Sequence, residues 1–350
     1  MKKIELLKKV LEKKILTLDG AMGTMIQREN LTEQDFKGEK FKNLKNNLKG
    51  NNDLLNISCE KLIFEIHKKY LEAGADIIET NTFNSTKISQ KDYNCEDFSF
   101  DLNFKGGSLA KQAAEQFMNE NPDQQKFVAG VLGPTNRTCS MSPDVNNPGF
   151  RNISFDELKQ DYLISIEALI ESGVDLIMIE TIFDTLNAKA ALMAVSEFEK
   201  KKNIYIPLMI SATITDLSGR TLSGQTLEGF YNSIKHCNPL TIGLNCALGP
   251  KELEPHLIEL NRISEFFVSI HPNAGLPNAF GGYDETPASI AKFVKNWAEN
   301  CYINIVGGCC GTTPEHITQM KKAVQRLQPR KSKTIDNSLR LSGLEAFNFK

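Results

Sequence analysis

The sequence lacks four things, and each absence narrows its function. No stretch of the 350 residues approaches the ~20 uninterrupted apolar positions of a membrane-spanning helix. Positive charge is not in excess: 41 lysines and arginines stand against 43 acids, a net charge of −2, so general nucleic-acid binding is not expected. Cysteine is sparse, with eight in the chain, which excludes the disulfide scaffold of a small secreted domain. A signal peptide is missing as well, because Glu5, Lys8, Lys9, Glu12, Lys13 and Lys14 interrupt the N-terminal MKKIELLKKVLEKKILTL. That segment reads as a short amphipathic helix leading into a strand. A cytoplasmic location with reduced thiols follows as the expectation, so any cysteine that matters is a metal ligand or a nucleophile.

What is present is an alternation. Short apolar, β-branched runs at 15–20, 75–83, 126–134, 174–181, 205–213, 240–246, 266–273 and 303–308 are separated by longer segments of helical period, such as CEKLIFEIHKKYLEAG and PEHITQMKKAVQRL. Eight strands alternating with eight helices predict one α/β domain, a (β/α)8 TIM barrel over residues 1–328, with 329–350 as a polar C-terminal linker or tail. The doubly wound alternative is disfavoured, since no GxGxxG opens the first helix. A Lys- and Asn-rich insertion over residues 28–52 reads as a solvated excursion rather than a lid.

A barrel of this kind builds its active site at the C-terminal ends of the strands. Standing there are Asp19-Gly20, Glu79 with Asn81, Gly133-Pro134, Glu180, Asn245-Cys246, His271 with Asn273, and Gly307-Gly308-Cys309-Cys310. Three cysteines thus share one rim. Adjacent cysteines are strained partners for a disulfide, so the Cys309-Cys310 pair points to a shared metal, and no paired CxxC supplies a four-ligand structural site. Three thiolates with one open position fit a zinc ion that acts on substrate. The remaining five cysteines read as small buried hydrophobes.

Charge selects the chemistry. Zn²⁺ with three thiolates carries a formal charge of −1 and is a poor Lewis acid for water, yet it deprotonates a thiol and leaves the sulfur nucleophilic. Alkyl transfer to sulfur is the expected reaction class. The small-residue turn DGAMGTM offers backbone N–H groups for a carboxylate, through Gly20, Ala21 and Met22, while Asp19 and Glu180 are candidates for an ammonium. An ordinary tight turn and a rim ion pair are the plainer readings of these two features. His271 reads as a hydrogen-bonded rim histidine rather than a ligand.

The segments DGAMGTMIQ, ETNTFNST, GPTNRTCSMSPDVNNPGFRNISFDEL, SGRTLSGQT, GLNCALGP, HPNAGLPNAFGGYDET and NIVGGCCGTTPEHI resemble, nearly continuously from about residue 15 to 347, the homocysteine-binding module of cobalamin-dependent methionine synthase. The resemblance implies zinc on Cys246, Cys309 and Cys310, homocysteine as substrate with Asp19 and Glu180 helping to bind it, and methylcobalamin as methyl donor. Betaine and S-methylmethionine homocysteine methyltransferases are the alternative, and they match chiefly at the zinc motifs. A zinc-stabilised binding module without turnover is a third reading. Members of the resembling family continue into folate, cobalamin and reactivation modules, whereas this chain stops at RLSGLEAFNFK. The expectation is a split gene product or an excised module, with cobalamin and folate modules on separate chains.

Overall fold

The computed structural model describes residues 2–215, 217–276, 282–334 and 338–349. Eight parallel strands, β1 (Leu16–Thr17), β2 (Ile77–Glu79), β3 (Phe127–Leu132), β4 (Leu176–Ile182), β5 (Leu208–Ala212), β6 (Thr241–Asn245), β7 (Phe267–His271) and β8 (Ile305–Val306), form one sheet. Each pairs with its neighbour in the chain, and β1 also pairs with β8, Leu16 lying opposite Ile305. A single parallel bridge, Leu18 to Ile77, joins β1 to β2. The result is a (β/α)8 TIM barrel.

The outer helices are α1 (Glu60–Glu72), α2 (Ser99–Glu120), α3 (Phe155–Glu171), α4 (Thr185–Lys202), α5 (Leu227–Ile234), α6 (Pro250–Ile263), α7 (Pro287–Glu299) and α8 (Pro314–Val324). Several begin where the sequence supplies a cap. Ser154 and Glu157 exchange hydrogen bonds at the head of α3, and Asp184 accepts from the Leu186 and Asn187 amides at the head of α4. Capping fixes where these two loops above the barrel end.

Strand alternation divides the core in two. Outward residues such as Ile78, Val128, Ile177, Ile210, Ile242 and Val268 pack under the helices. Inward residues Leu16, Leu18, Ile77, Phe127, Leu176, Met178, Met209 and Ile305 fill the barrel, and Leu7 and Leu11 of the N-terminal helix Lys2–Leu11 join them. The expected amphipathic helix therefore inserts its apolar face into the barrel core. Below, Asp76 accepts the Thr17 amide at 2.9 Å and pairs with Lys14 at 3.2 Å and with Lys321.

Two segments differ from the expected reading. The 28–52 insertion is not a free excursion: Phe36, Phe41 and Leu48 are buried in the main core, and Glu33 accepts the Leu48 and Lys49 amides. The tail folds back as a hairpin, Arg340–Ser342 with Ala346–Asn348, against α5. Gln225 donates to Ser342 at 2.9 Å and Asn232 to the Leu341 carbonyl at 3.1 Å. Leu339, Leu341, Leu344, Phe347 and Phe349 stay exposed on it.

Candidate metal centre and substrate cavity

Above the packed interior the inward positions turn polar, and a cavity of about 290 Å³ opens at the C-terminal ends of the strands. Asp19, Gly20, Ala21, Met22, Glu180, Cys246, Cys309 and Cys310, all singled out in the sequence, line it together. Glu79, Asp53, His271, Thr24 and Tyr283 line it as well.

Cys246 follows β6, and the backbone turns there through two left-handed residues, Cys246 at φ 62° and Ala247 at φ 56°. Few non-glycine residues adopt this conformation, and two in succession mark a turn held by its surroundings. The Cys246 amide donates to the His271 carbonyl at 3.1 Å, tying the turn to β7. Cys309 and Cys310 follow β8 on a loop whose amides are pinned: Gly308 to the Asp19 carbonyl at 3.0 Å, Cys309 to the Pro272 carbonyl at 2.8 Å and Gly311 to Thr24 Oγ1 at 3.0 Å. Glycine is required twice here. A Cβ on Gly308 would lie 2.3 Å from Thr312 Oγ1, and Gly311 has φ +82° with the Tyr283 ring 2.4 Å from where its Cβ would sit.

This backbone brings the three thiols together. Their sulfurs all lie within 4.8 Å of one another, with Cys246 Sγ 3.9 Å from Cys310 Sγ. Tetrahedral zinc with Zn–S bonds of ~2.3 Å sets its sulfurs ~3.8 Å apart, so the spacing suits one ion. Among the described residues it is the one such group of three metal-ligating side chains. The sulfurs also share protons: the Cys246 and Cys309 thiols donate toward Cys310 and bring its pKa down to about 3, while Cys309, the donor, is pushed well up.

Three carboxylates face the thiols. Burial raises all three pKa values, to about 7 for Glu180, where the nearby Cys310 adds to the effect. For Glu79 the repulsion of Glu180 and Asp19 adds to burial, and for Asp19 a hydrogen bond from the Glu79 amide, 3.0 Å to Oδ2, works the other way. Glu180 is oriented by Asn245, whose Nδ2 lies 3.0 Å from Glu180 Oε2. The residue after Glu180, Thr181, sits at φ 54° beside a register shift in the β4–β5 ladder, and Asn245 Oδ1 accepts its amide at 3.1 Å.

Some expectations need refinement. The Ala21 amide is already bonded to Thr312 Oγ1 at 3.2 Å, which removes it from a carboxylate cradle. His271 is buried, but neither ring nitrogen has a partner among the described residues, so the expected hydrogen-bonded histidine is not found there, and burial lowers its pKa to about 3. Sequence reasoning placed Glu79 and Asn245 at the rim without a role. Tyr283, which hydrogen-bonds Cys310 and packs on Gly311, was not singled out. A rule that weighed every acid at a strand end equally would have found Glu79.

A family model described as homocysteine S-methyltransferase matches residues 16–324. The chain belongs to the homocysteine S-methyltransferase family. Crystal structures of the homocysteine methyltransferase MmuM from Escherichia coli, in oxidised and metallated forms, share its fold at TM-score 0.71 and 22% identity, covering 91% of this chain and 98% of that one. The apo form superposes at TM-score 0.65 with 21% identity over 89% and 97% of the two chains. A methyltransferase of this family is thus the class of enzyme whose barrel carries the cavity. No helix among the described residues is long and apolar enough to cross a membrane.

Proposed function

We propose that this chain is the zinc-dependent component that methylates homocysteine to methionine, taking the methyl group from methylcobalamin carried on a separate chain. The observation that carries the reading is the trio Cys246, Cys309 and Cys310 opening into a cavity lined by Asp19, Glu79 and Glu180. Zinc held by the three thiolates would accept the homocysteine thiol as a thiolate and keep it nucleophilic. The protein's own residues do the rest. Asp19 and Glu180 hold the ammonium, and Asn245 fixes the Glu180 carboxylate. The amides of Met22 and the residues after it receive the substrate carboxylate, since the first turn of the helix Met22–Arg28 leaves them without intrahelical partners. Held at both ends, the amino acid directs its sulfur at the thiol trio, and the transfer converts the thiolate to a thioether while the methyl carrier loses its methyl group.

The mouth of the cavity favours a large donor. Val145, Phe150, Leu217, Leu222 and Leu276 expose apolar side chains on the loops that follow β3, β5 and β7, at the end of the barrel where the cavity opens, Val145 at 95%. Such a rim suits a docking protein better than a small soluble donor. The exposed tail hairpin suits a further contact with a folate- or cobalamin-binding chain, and eight free cysteines fit a reducing cytoplasm.

The test is methyl transfer to homocysteine by zinc-loaded protein, with methylcobalamin, betaine and S-methylmethionine as donors in parallel. Zinc-dependent turnover with methylcobalamin alone is expected. Turnover only with betaine or S-methylmethionine would replace the donor and keep the sulfur chemistry, and none with any donor would leave a binding module.

A further inference from the structure

The cavity has an unusual charge inventory. Among the described residues four acids, Asp19, Asp53, Glu79 and Glu180, line it, and no lysine or arginine does; its one histidine is kept neutral by burial. Asp53 is already satisfied, accepting from Ser85 Oγ at 2.7 Å and the Asn84 amide at 2.9 Å. The other three differ in how far they are committed. One Glu180 oxygen takes the Asn245 amide group, and one Asp19 oxygen takes the Glu79 amide while the other, Oδ1, is buried with no partner among the described residues. Asp19 is only 2% exposed and lines the cavity.

Glu79 ends β2 beside Asp19, the two strands touching at the Leu18 to Ile77 bridge, and the Glu79 amide itself holds Asp19 in place. Its side chain lines the same cavity within electrostatic reach of both Asp19 and Glu180. Three acids gathered in one cavity repel one another, and the Asn245 and Glu79 donors meet only part of their hydrogen-bonding capacity. They need a cation. A primary ammonium has three N–H donors in a compact head, one for each carboxylate, and a donor left unmet in a buried site is costly.

We infer that Glu79 is a third ammonium-binding carboxylate, completing with Asp19 and Glu180 a cradle that selects thiols bearing an α-amino group. This rests on the proposed homocysteine reading and adds to it a residue that sets specificity. Glu79 discriminates by charge: a thiol acid without the amino group would bring a second negative charge into the cavity and leave the three carboxylates unpaired.

The probe pair is homocysteine and 4-mercaptobutanoate, which differ only in the amino group, titrated by calorimetry into zinc-loaded protein and its Glu79→Gln variant. No methyl donor is needed, so the result stands apart from the donor assignment. Wild-type protein is expected to bind homocysteine at least tenfold more tightly than 4-mercaptobutanoate. Glu79→Gln should weaken homocysteine at least tenfold and leave 4-mercaptobutanoate no weaker than in wild type, with one zinc retained per chain. Unchanged homocysteine affinity in the variant, or an equal loss for both thiols, would overturn the inference. If wild-type protein bound neither thiol, the homocysteine reading itself would fail; if it bound both equally, only the cradle would.

Discussion

Asn245 Nδ2 donates to Glu180 Oε2 at 3.0 Å, and the next residue along the chain is Cys246. One side chain thus orients the Glu180 carboxylate, the proposed ammonium ligand on β4, while the next residue along the backbone carries a sulfur of the proposed metal centre. Asn245 Oδ1 also accepts from Ser211 Oγ at 2.7 Å and from the Thr181 amide. Replacing Asn245 by Ala leaves those donors buried and unpaired, at a cost of about 2 kcal/mol. Urea denaturation should show that loss, and the homocysteine KM should rise more than kcat falls. A change under about 0.5 kcal/mol, the range of an ordinary surface substitution, would mean the network contributes little.

Glu180→Gln is expected to raise the homocysteine KM about tenfold, equivalent to about 1.4 kcal/mol, with zinc content unchanged. Metal analysis beside steady-state kinetics checks both parts. Zinc loss in this variant would make Glu180 a support of the metal ligands rather than a substrate residue.

Cys309→Ala and Cys310→Ala should each abolish zinc retention and activity while the barrel still unfolds cooperatively, because the core under the helices and inside the barrel does not include the thiol trio. Calorimetric scans of the two variants and of chelated wild-type protein are the measurement. Loss of the cooperative transition would make the metal a folding element.

How much of this was legible in the sequence depends on what each residue signals by itself. All eight strands were, because parallel strands buried on both faces read as apolar β-branched runs. Even so, β1 and β8 shrink to two residues each, since their flanks turn at once into the loops of Asp19 and Gly307. The thiol trio was legible because Cys246 and the Cys309-Cys310 pair end strands that the barrel brings to one mouth. Glu79 was not assigned a role, because a lone acid at a strand end means little until β1 sets Asp19 beside it. The 28–52 insertion misled for a compositional reason: its abundant Lys and Asn hide three anchors, Phe36, Phe41 and Leu48. His271 was expected to have a partner because most buried rings do.

Asp76 gives a pH-dependent stability. Burial alone would raise its pKa, but Lys321 and Lys14, with the Thr17 amide, outweigh this and hold it below the usual carboxylate range. A carboxyl depressed in the folded state adds stability above its unfolded pKa of about 3.9 and loses it as pH falls through the folded value. Asp76→Asn should therefore cost about 2 kcal/mol at pH 7, less than a fully buried pair because both lysines are partly exposed. The gap to wild type in denaturant unfolding should narrow below about pH 4. A gap independent of pH would remove the charge from the explanation.

The account rests on substrate sulfur joining the three protein sulfurs, and X-ray absorption at the zinc edge reads this directly. Zinc-loaded protein should show three sulfur neighbours at ~2.3 Å, and four once homocysteine is added. A sulfur count that stays at three in the presence of saturating homocysteine would contradict the proposed thiol chemistry.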